Sequence, residues 1–253
     1  MDANQRTRLF STIGIVLIVA GLGYAGLRMF GAVGSRISDW TGSGPERGAP
    51  ERTPGDERAA ERATIGVDLQ ADLRDFDRVH AEGGWKVTIR PGEFGVAVSV
   101  SEHAADDVRV YRRGDVLHLS VASGIRTVTG TMEAEITMPT LDHLEIDGGA
   151  DVRLEGVDSR ELTIDVDGAA SIHAIDARVE ELHVDVDGAA NVDFSRSSVV
   201  NAEVDMDGAS NMNITMAGGR LTGVLRGVGN VSYSGPVSEE AVRVEGLGRV
   251  RQR

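Results

Sequence analysis

The feature that most constrains this chain is a twenty-residue repeat. Segment 162–172 reads LTIDVDGAASI, 182–192 reads LHVDVDGAANV and 202–212 reads AEVDMDGASNM, so Gly168, Gly188 and Gly208 recur at a step of 20. An earlier copy, LEIDGGADV at 144–152, keeps Gly148 in phase. Two shorter copies, LRGVGNV at 225–231 and VEGLGRV at 244–250, carry Gly227 and Gly246 at a step of 19. The segment EGGWKV at 82–87 fits the same frame and is a candidate first rung.

Each copy alternates. Ile164 and Val166 fall on one side of an extended chain, Asp165 and Asp167 on the other, which is a strand with one buried face. Glycine then permits a bend, and small residues at 169, 189 and 209 allow close backbone approach. Apolar residues resume at Ile172, Val192, Met212, Val231 and Val250. Each repeat therefore reads as two short strands about a glycine corner, followed by a polar corner such as 177–181.

A unit of this size cannot bury its apolar side alone; stacked copies can, with parallel strands about 4.8 Å apart and like residues over like. The expected fold is all-β, a single-stranded parallel β-helix (solenoid) of six or seven coils, on the order of 30 Å long. Propeller blades need roughly 40 residues, and barrel hairpins need a turn signal after every strand.

Ahead of the repeats, VRVYRRGDVLHLSV at 108–121 reads as a hairpin with its turn near Arg113-Gly114-Asp115. Met132–Met138 alternates and is closed by Pro139. These strands are expected to cap the amino-terminal end of the stack.

The first 64 residues differ in kind. Leu9 to Leu27 is nineteen residues without charge, long enough to cross a bilayer as a helix. No clean small-x-small cleavage site follows the apolar run before Arg28, so the segment reads as an uncleaved signal anchor in preference to a signal peptide. Gly34 to Thr64, rich in Gly, Pro, Arg and Glu, reads as a flexible spacer. The expected organisation is anchor 1–33, linker 34–64 and head 65–253. The expected location is the bacterial inner membrane, single-pass, with the head in the periplasm or extracytoplasmic space.

Several residues carry a resemblance. Phe76-x-x-Val79, the Val-x-Ile-x-Pro-Gly run at 87–92, Leu117-x-Leu119, Ile136-x-Met138-Pro139 and the repeated D-G-A-[AS]-x-[VIM] unit are together similar to the head GIN domain family of putative autotransporter adhesins, over about residues 66–245. That family more typically carries G-[ST]-G-[DN]-[IV]; here the third position is Ala or Ser at 170, 190 and 210, with Gly only at 229 and 248. The resemblance implies a β-helical fold and an envelope location. It supplies no catalytic residues.

Charge narrows the function classes. The chain has a net charge of −14. Between Leu141 and Met212 four arginines face eighteen Asp and Glu, a net of −14 in that block alone. Phosphates would be repelled, so nucleic acid is excluded as a partner. With no cysteine, disulfides, thiolate metal sites and a cysteine lipid anchor are excluded as well.

The candidate site is a ladder of carboxylates. Asp147, Asp167, Asp187 and Asp207 would form one column, and Glu145, Asp165, Asp185 and Asp205 its neighbour, with successive carboxylates about 5 Å apart. Like charges that close raise one another's pKa or recruit cations, and Ca²⁺ takes such oxygen ligands. The same residues also serve as a solvated face that resists aggregation. A column of Ser171, Asn191, Asn211 and Asn230 suggests amide stacking. Arg113-Gly114-Asp115 is read as turn chemistry. The histidines at 80, 103, 118, 143, 173 and 183 have no zinc-binding spacing.

Two functions remain. The first is a non-catalytic, membrane-anchored, adhesin-like envelope module. Its partners would be the membrane through the amino-terminal helix, and an envelope protein or polysaccharide. No cofactor is expected beyond weakly held Ca²⁺. The alternative is a polysaccharide-active β-helix enzyme using clustered Asp. Such an enzyme needs a loop-built cleft with aromatic platforms, and the strict 19–20-residue step leaves no room for those loops.

Overall fold

The computed structural model describes residues 66–71, 73–101, 104–122 and 132–253. The segments read as anchor and spacer lie outside the described residues. No helix among the described residues is long and apolar enough to cross a membrane.

The described chain is all-β. Its strands are β1 (Gly66–Ala71), β2 (Arg78–Pro91), β3 (Gly95–Ser101), β4 (Val108–Arg113), β5 (Val116–Val121), β6 (Met132–Met138), β7 (His143–Glu155), β8 (Asp158–Met216), β9 (Arg220–Ser234) and β10 (Glu239–Gln252). They form one sheet in the order β1-β3-β6-β2-β7-β8-β9-β10, with β5 also pairing β2 and β4.

The sheet is mixed, which corrects the expectation of a purely parallel fold. From β2 onward through β7, β8, β9 and β10 the pairing is parallel. Pairs β1–β3, β3–β6 and β4–β5 are antiparallel. For the β4–β5 pair the reason is local. Gly114, at φ +68°, lets the chain reverse within two residues, and a tight reversal can only yield an antiparallel neighbour. The expected hairpin is present, with Val108 opposite Val121 and Arg113 opposite Val116.

The amino-terminal strands cover β2 on the side away from β7. They divide at its glycine corner: β5 pairs residues 78–81 and β6 pairs residues 86–91. Along its other side β2 runs in register with β7, Gly83 facing Gly148. The segment 82–87 is thus a first rung, as its phase suggested.

Register follows the repeat. His143 pairs Thr163 and Asp147 pairs Asp167, a step of 20. Ala202 pairs Leu221 and Arg220 pairs Glu239, a step of 19. The missing residue is taken up in the turn between β8 and β9 (217–219), so no row on either side loses its partner.

The glycine corners require glycine. Gly148, Gly168, Gly188 and Gly208 have φ of +113°, +129°, +136° and +114°. A Cβ on Gly168 would collide with the carbonyl oxygen of Gly148, one on Gly188 with that of Gly168, and one on Gly208 with that of Gly188. These glycines therefore lie directly over one another.

The core lies behind the alternating residues. Leu144, Ile164, Val184 and Val204 are buried, as are Ile146, Val166, Val186, Met206 and Leu225. Beyond the corner Val152, Ile172, Val192, Met212 and Val231 continue it. The segment expected to be a polar corner is instead a third lining side: Ala177 and Val179 are buried, with Val157, Ser197 and Val199 in phase. The chain turns immediately before this side, with Asp176 at φ +55°. Arg178 N–H donates to Val157 O at 2.8 Å and Ala177 N–H to Ser197 Oγ at 3.2 Å.

Candidate functional site

The acidic residues are placed by alternation alone. With Ile164 and Val166 inward, Asp165 and Asp167 must face out. Parallel register then sets like over like: Glu82, Asp147 and Asp167 are successive partners, and so are Glu145 and Asp165. Asp147, Asp167, Asp187 and Asp207 are exposed. Asp165 and Asp205 are half-buried, and Asp185 is exposed between them. The structure thus brings all seven sequence-predicted aspartates onto one face.

That face is electrostatically strained near its middle. Partial burial pushes the Asp185 carboxyl above its usual range, and repulsion from Asp165, Asp205 and Asp187 adds to the effect. Toward the carboxy-terminal end the charge changes sign: Asp207 is followed by Arg226, and Asp205 by Val224 and Arg243. Arg226 Nε and Arg243 Nε both approach Glu245, at 3.5 and 2.9 Å. Asp205 Oδ1 accepts from the Val224 backbone N–H at 2.9 Å, so this carboxylate is partly committed to the fold.

Histidines sit along one margin of the columns. His143 Nε2 lies 3.3 Å from Asp165 Oδ2, and His183 Nδ1 lies 3.3 Å from Glu203 Oε2. Past the corner, His173 Nδ1 is 3.9 Å from Asp193 Oδ2. Burial would raise the Asp193 pKa, but hydrogen bonds from Ser195 outweigh it; with His173 nearby, the net direction is down.

Two further readings find their place. Asn230 Nδ2 donates to Asn211 Oδ1 at 3.1 Å, so amide stacking is realised at that step. In the Arg113-Gly114-Asp115 turn, the Asp115 carbonyl accepts from Asp77 N–H and Arg78 N–H at 3.1 and 3.2 Å. That tripeptide docks the hairpin onto β2.

Sequence reasoning missed one cluster. His80 Nδ1 and His118 Nδ1 are 3.3 Å apart, and the Tyr111 ring stacks on His118 at 4.8 Å and 12°. Burial lowers the His118 pKa, with His80 adding to the effect. The two histidines are 38 residues apart on different strands, so no local spacing could reveal them. A faint signal existed: alternation in Leu117-His118-Leu119 turns His118 outward, and the phase of the first rung puts His80 in line with Glu145.

The arrangement offers charge and flat area, with polar positions that recur from copy to copy. Among the described residues no three His, Asp or Glu side chains are gathered closely enough to hold a metal.

Comparison with known proteins agrees with this architecture. The family described as "Putative auto-transporter adhesin, head GIN domain" matches residues 75–236. No curated protein matches the chain. Among solved structures, a putative adhesin from Bacteroides fragilis aligns with TM-score 0.58 at 17% identity, covering 76% of this chain and 98% of that one. Putative adhesins from Parabacteroides merdae and Parabacteroides distasonis align with TM-score 0.45 each, at 15% and 13% identity. Both cover 76% of this chain, and 97% and 98% of their own.

The family match overturns one expectation. A single-pass protein of the bacterial inner membrane is not what it describes: auto-transporter adhesins are held at the outer membrane and displayed outside the cell. A nineteen-residue apolar run at 9–27 fixes only a length, and a length is compatible with more than one route through the envelope.

Proposed function

Since the chain belongs to the head GIN domain family of auto-transporter adhesins, we propose that it is a surface-displayed head whose acidic columns recognise a cationic partner. It is a non-catalytic, adhesin-like β-domain. We take residues 65–253 as the head, and within it read 143–253 as a single-stranded parallel β-helix. In-register pairing at steps of 20 and 19 supports that reading.

One observation carries the proposal. Asp147, Asp165, Asp167, Asp185, Asp187, Asp205 and Asp207 share one face in two adjacent columns, and the Asp185 carboxyl, raised first by partial burial, is raised further by Asp165, Asp205 and Asp187. Repulsion of this kind is relieved when a cation arrives. Ca²⁺, or the amines of an envelope protein or polysaccharide, would supply it. The polysaccharide-cleaving alternative has no observation in its favour.

The test is binding of the full chain to immobilised cationic peptides and to neutral polysaccharide, at low and high salt. Capture on the cationic surface, lost in Asp167→Asn/Asp187→Asn/Asp207→Asn, is the expected result. Equal capture by wild type and the triple variant would remove the columns from the binding surface.

A further inference from the structure

The outward row does not end in carboxylates. Followed toward the amino terminus, Asp165, Glu145, His80, His118 and Tyr111 are successive partners on β8, β7, β2, β5 and β4. Parallel pairing of β2 with β5 sets the two imidazoles side by side. Their centroids are 5.3 Å apart at 70°, while the Nδ1 atoms approach to 3.3 Å. The contact is therefore nitrogen to nitrogen and not ring on ring. His80 Nε2 is shielded from solvent and has no hydrogen-bond partner, which leaves Nδ1 as the nitrogen His80 can offer. The stacked Tyr111 ring steadies the plane of His118.

That separation has a meaning beyond a hydrogen bond. Two nitrogens each about 2.0–2.1 Å from a zinc ion, at the tetrahedral angle, lie about 3.3–3.4 Å apart. We propose that His80 and His118 form a two-imidazole chelate for Zn²⁺ or a similar borderline divalent cation. Water completes its shell. With no three such side chains gathered among the described residues, only two protein ligands stand in place, so the ion is exchangeable and not structural. Imidazole donors favour Zn²⁺, Ni²⁺ and Cu²⁺, whereas carboxylates favour Ca²⁺ and Mg²⁺. This end of the face therefore takes a different class of cation from the aspartate columns, and the site does not depend on the adhesin reading.

The experiment is a Zn²⁺ titration of the full chain near neutral pH, followed by imidazole nitrogen resonances and by calorimetry. One equivalent of Zn²⁺ should move the Nδ1 signals of His80 and His118 and leave those of His173 and His183 in place. His80→Gln and His118→Gln should each weaken binding roughly tenfold or more, His173→Gln should not, and excess Ca²⁺ should not compete. Unmoved Nδ1 signals, or affinity retained in both His80→Gln and His118→Gln, would overturn the site and leave a simple N–H···N bond. The wild-type resonances decide the matter even where a variant folds poorly.

Discussion

Replacing Gly188 by Ala tests the stacking of the repeats directly, and its cost separates into two parts. The first is conformational. A φ of +136° lies where side-chain-bearing residues are strained, which costs about 1–3 kcal/mol. The second is steric. The new methyl would collide with the Gly168 carbonyl in the repeat beneath. That group is backbone and cannot rotate aside, so the two repeats must part locally. Losing two ladder hydrogen bonds, at about 1 kcal/mol each, adds about 2 kcal/mol. The expected loss is about 3–5 kcal/mol. Two controls isolate the parts. Gly114 has φ +68° and open space where a Cβ would go, so Gly114→Ala should cost only the left-handed penalty, about 1–2 kcal/mol. Gly84 has open space and no positive φ, so Gly84→Ala should stay within about 0.5 kcal/mol of wild type. Urea unfolding of the full chain, followed by far-ultraviolet circular dichroism, measures all three. If Gly188→Ala costs no more than Gly114→Ala, the close approach of successive glycine corners is wrong.

Asp185→Asn should stabilise the protein at neutral pH. The folded-state pKa of Asp185 is raised, so its ionisation opposes folding, and the wild type regains stability as pH falls through that value. The gain in melting temperature of the variant should shrink on acidification, and a constant gain would mean that its charge is not what matters. Millimolar Ca²⁺ should raise the wild-type melting temperature and leave Asp165→Asn/Asp185→Asn/Asp205→Asn unmoved; an equal shift in both would place the ion elsewhere. Phe194, fully buried in phase with Ala174 and Ile214, should cost about 3–5 kcal/mol when replaced by Ala. A loss under 1 kcal/mol in urea unfolding would show that the interior of the repeats is loosely packed.

What the sequence made legible was whatever the period imposed. Gly168, Gly188 and Gly208 announced the corner, and the alternation in LTIDVD announced which side is buried. The acidic columns follow from those two facts. The hairpin at 108–121 was legible for a different reason, since Gly114 sits between two alternating runs. The third lining side was missed because its apolar residues, Ala177 and Val179, are small and sit among Asp176, Arg178, Glu180 and Glu181, so the segment reads as polar. The antiparallel β1–β3–β6 arrangement was missed because long-range pairing of non-repeating strands leaves no local mark. The His80–His118 contact belongs to the same class, as it depends on the long-range pairing of β5 with β2.

The shortened turn at 217–219 bears on how this molecule can change over generations. Because a residue lost there leaves every row on both sides aligned, length variation is confined to turns and the faces are insulated from it. Gain or loss of one whole copy would likewise shift everything beyond it by about 4.8 Å along the stack and alter nothing else. Reach is therefore inherited in discrete increments, and descendants of one ancestor can differ in the number of carboxylates they present while sharing the same cross-section.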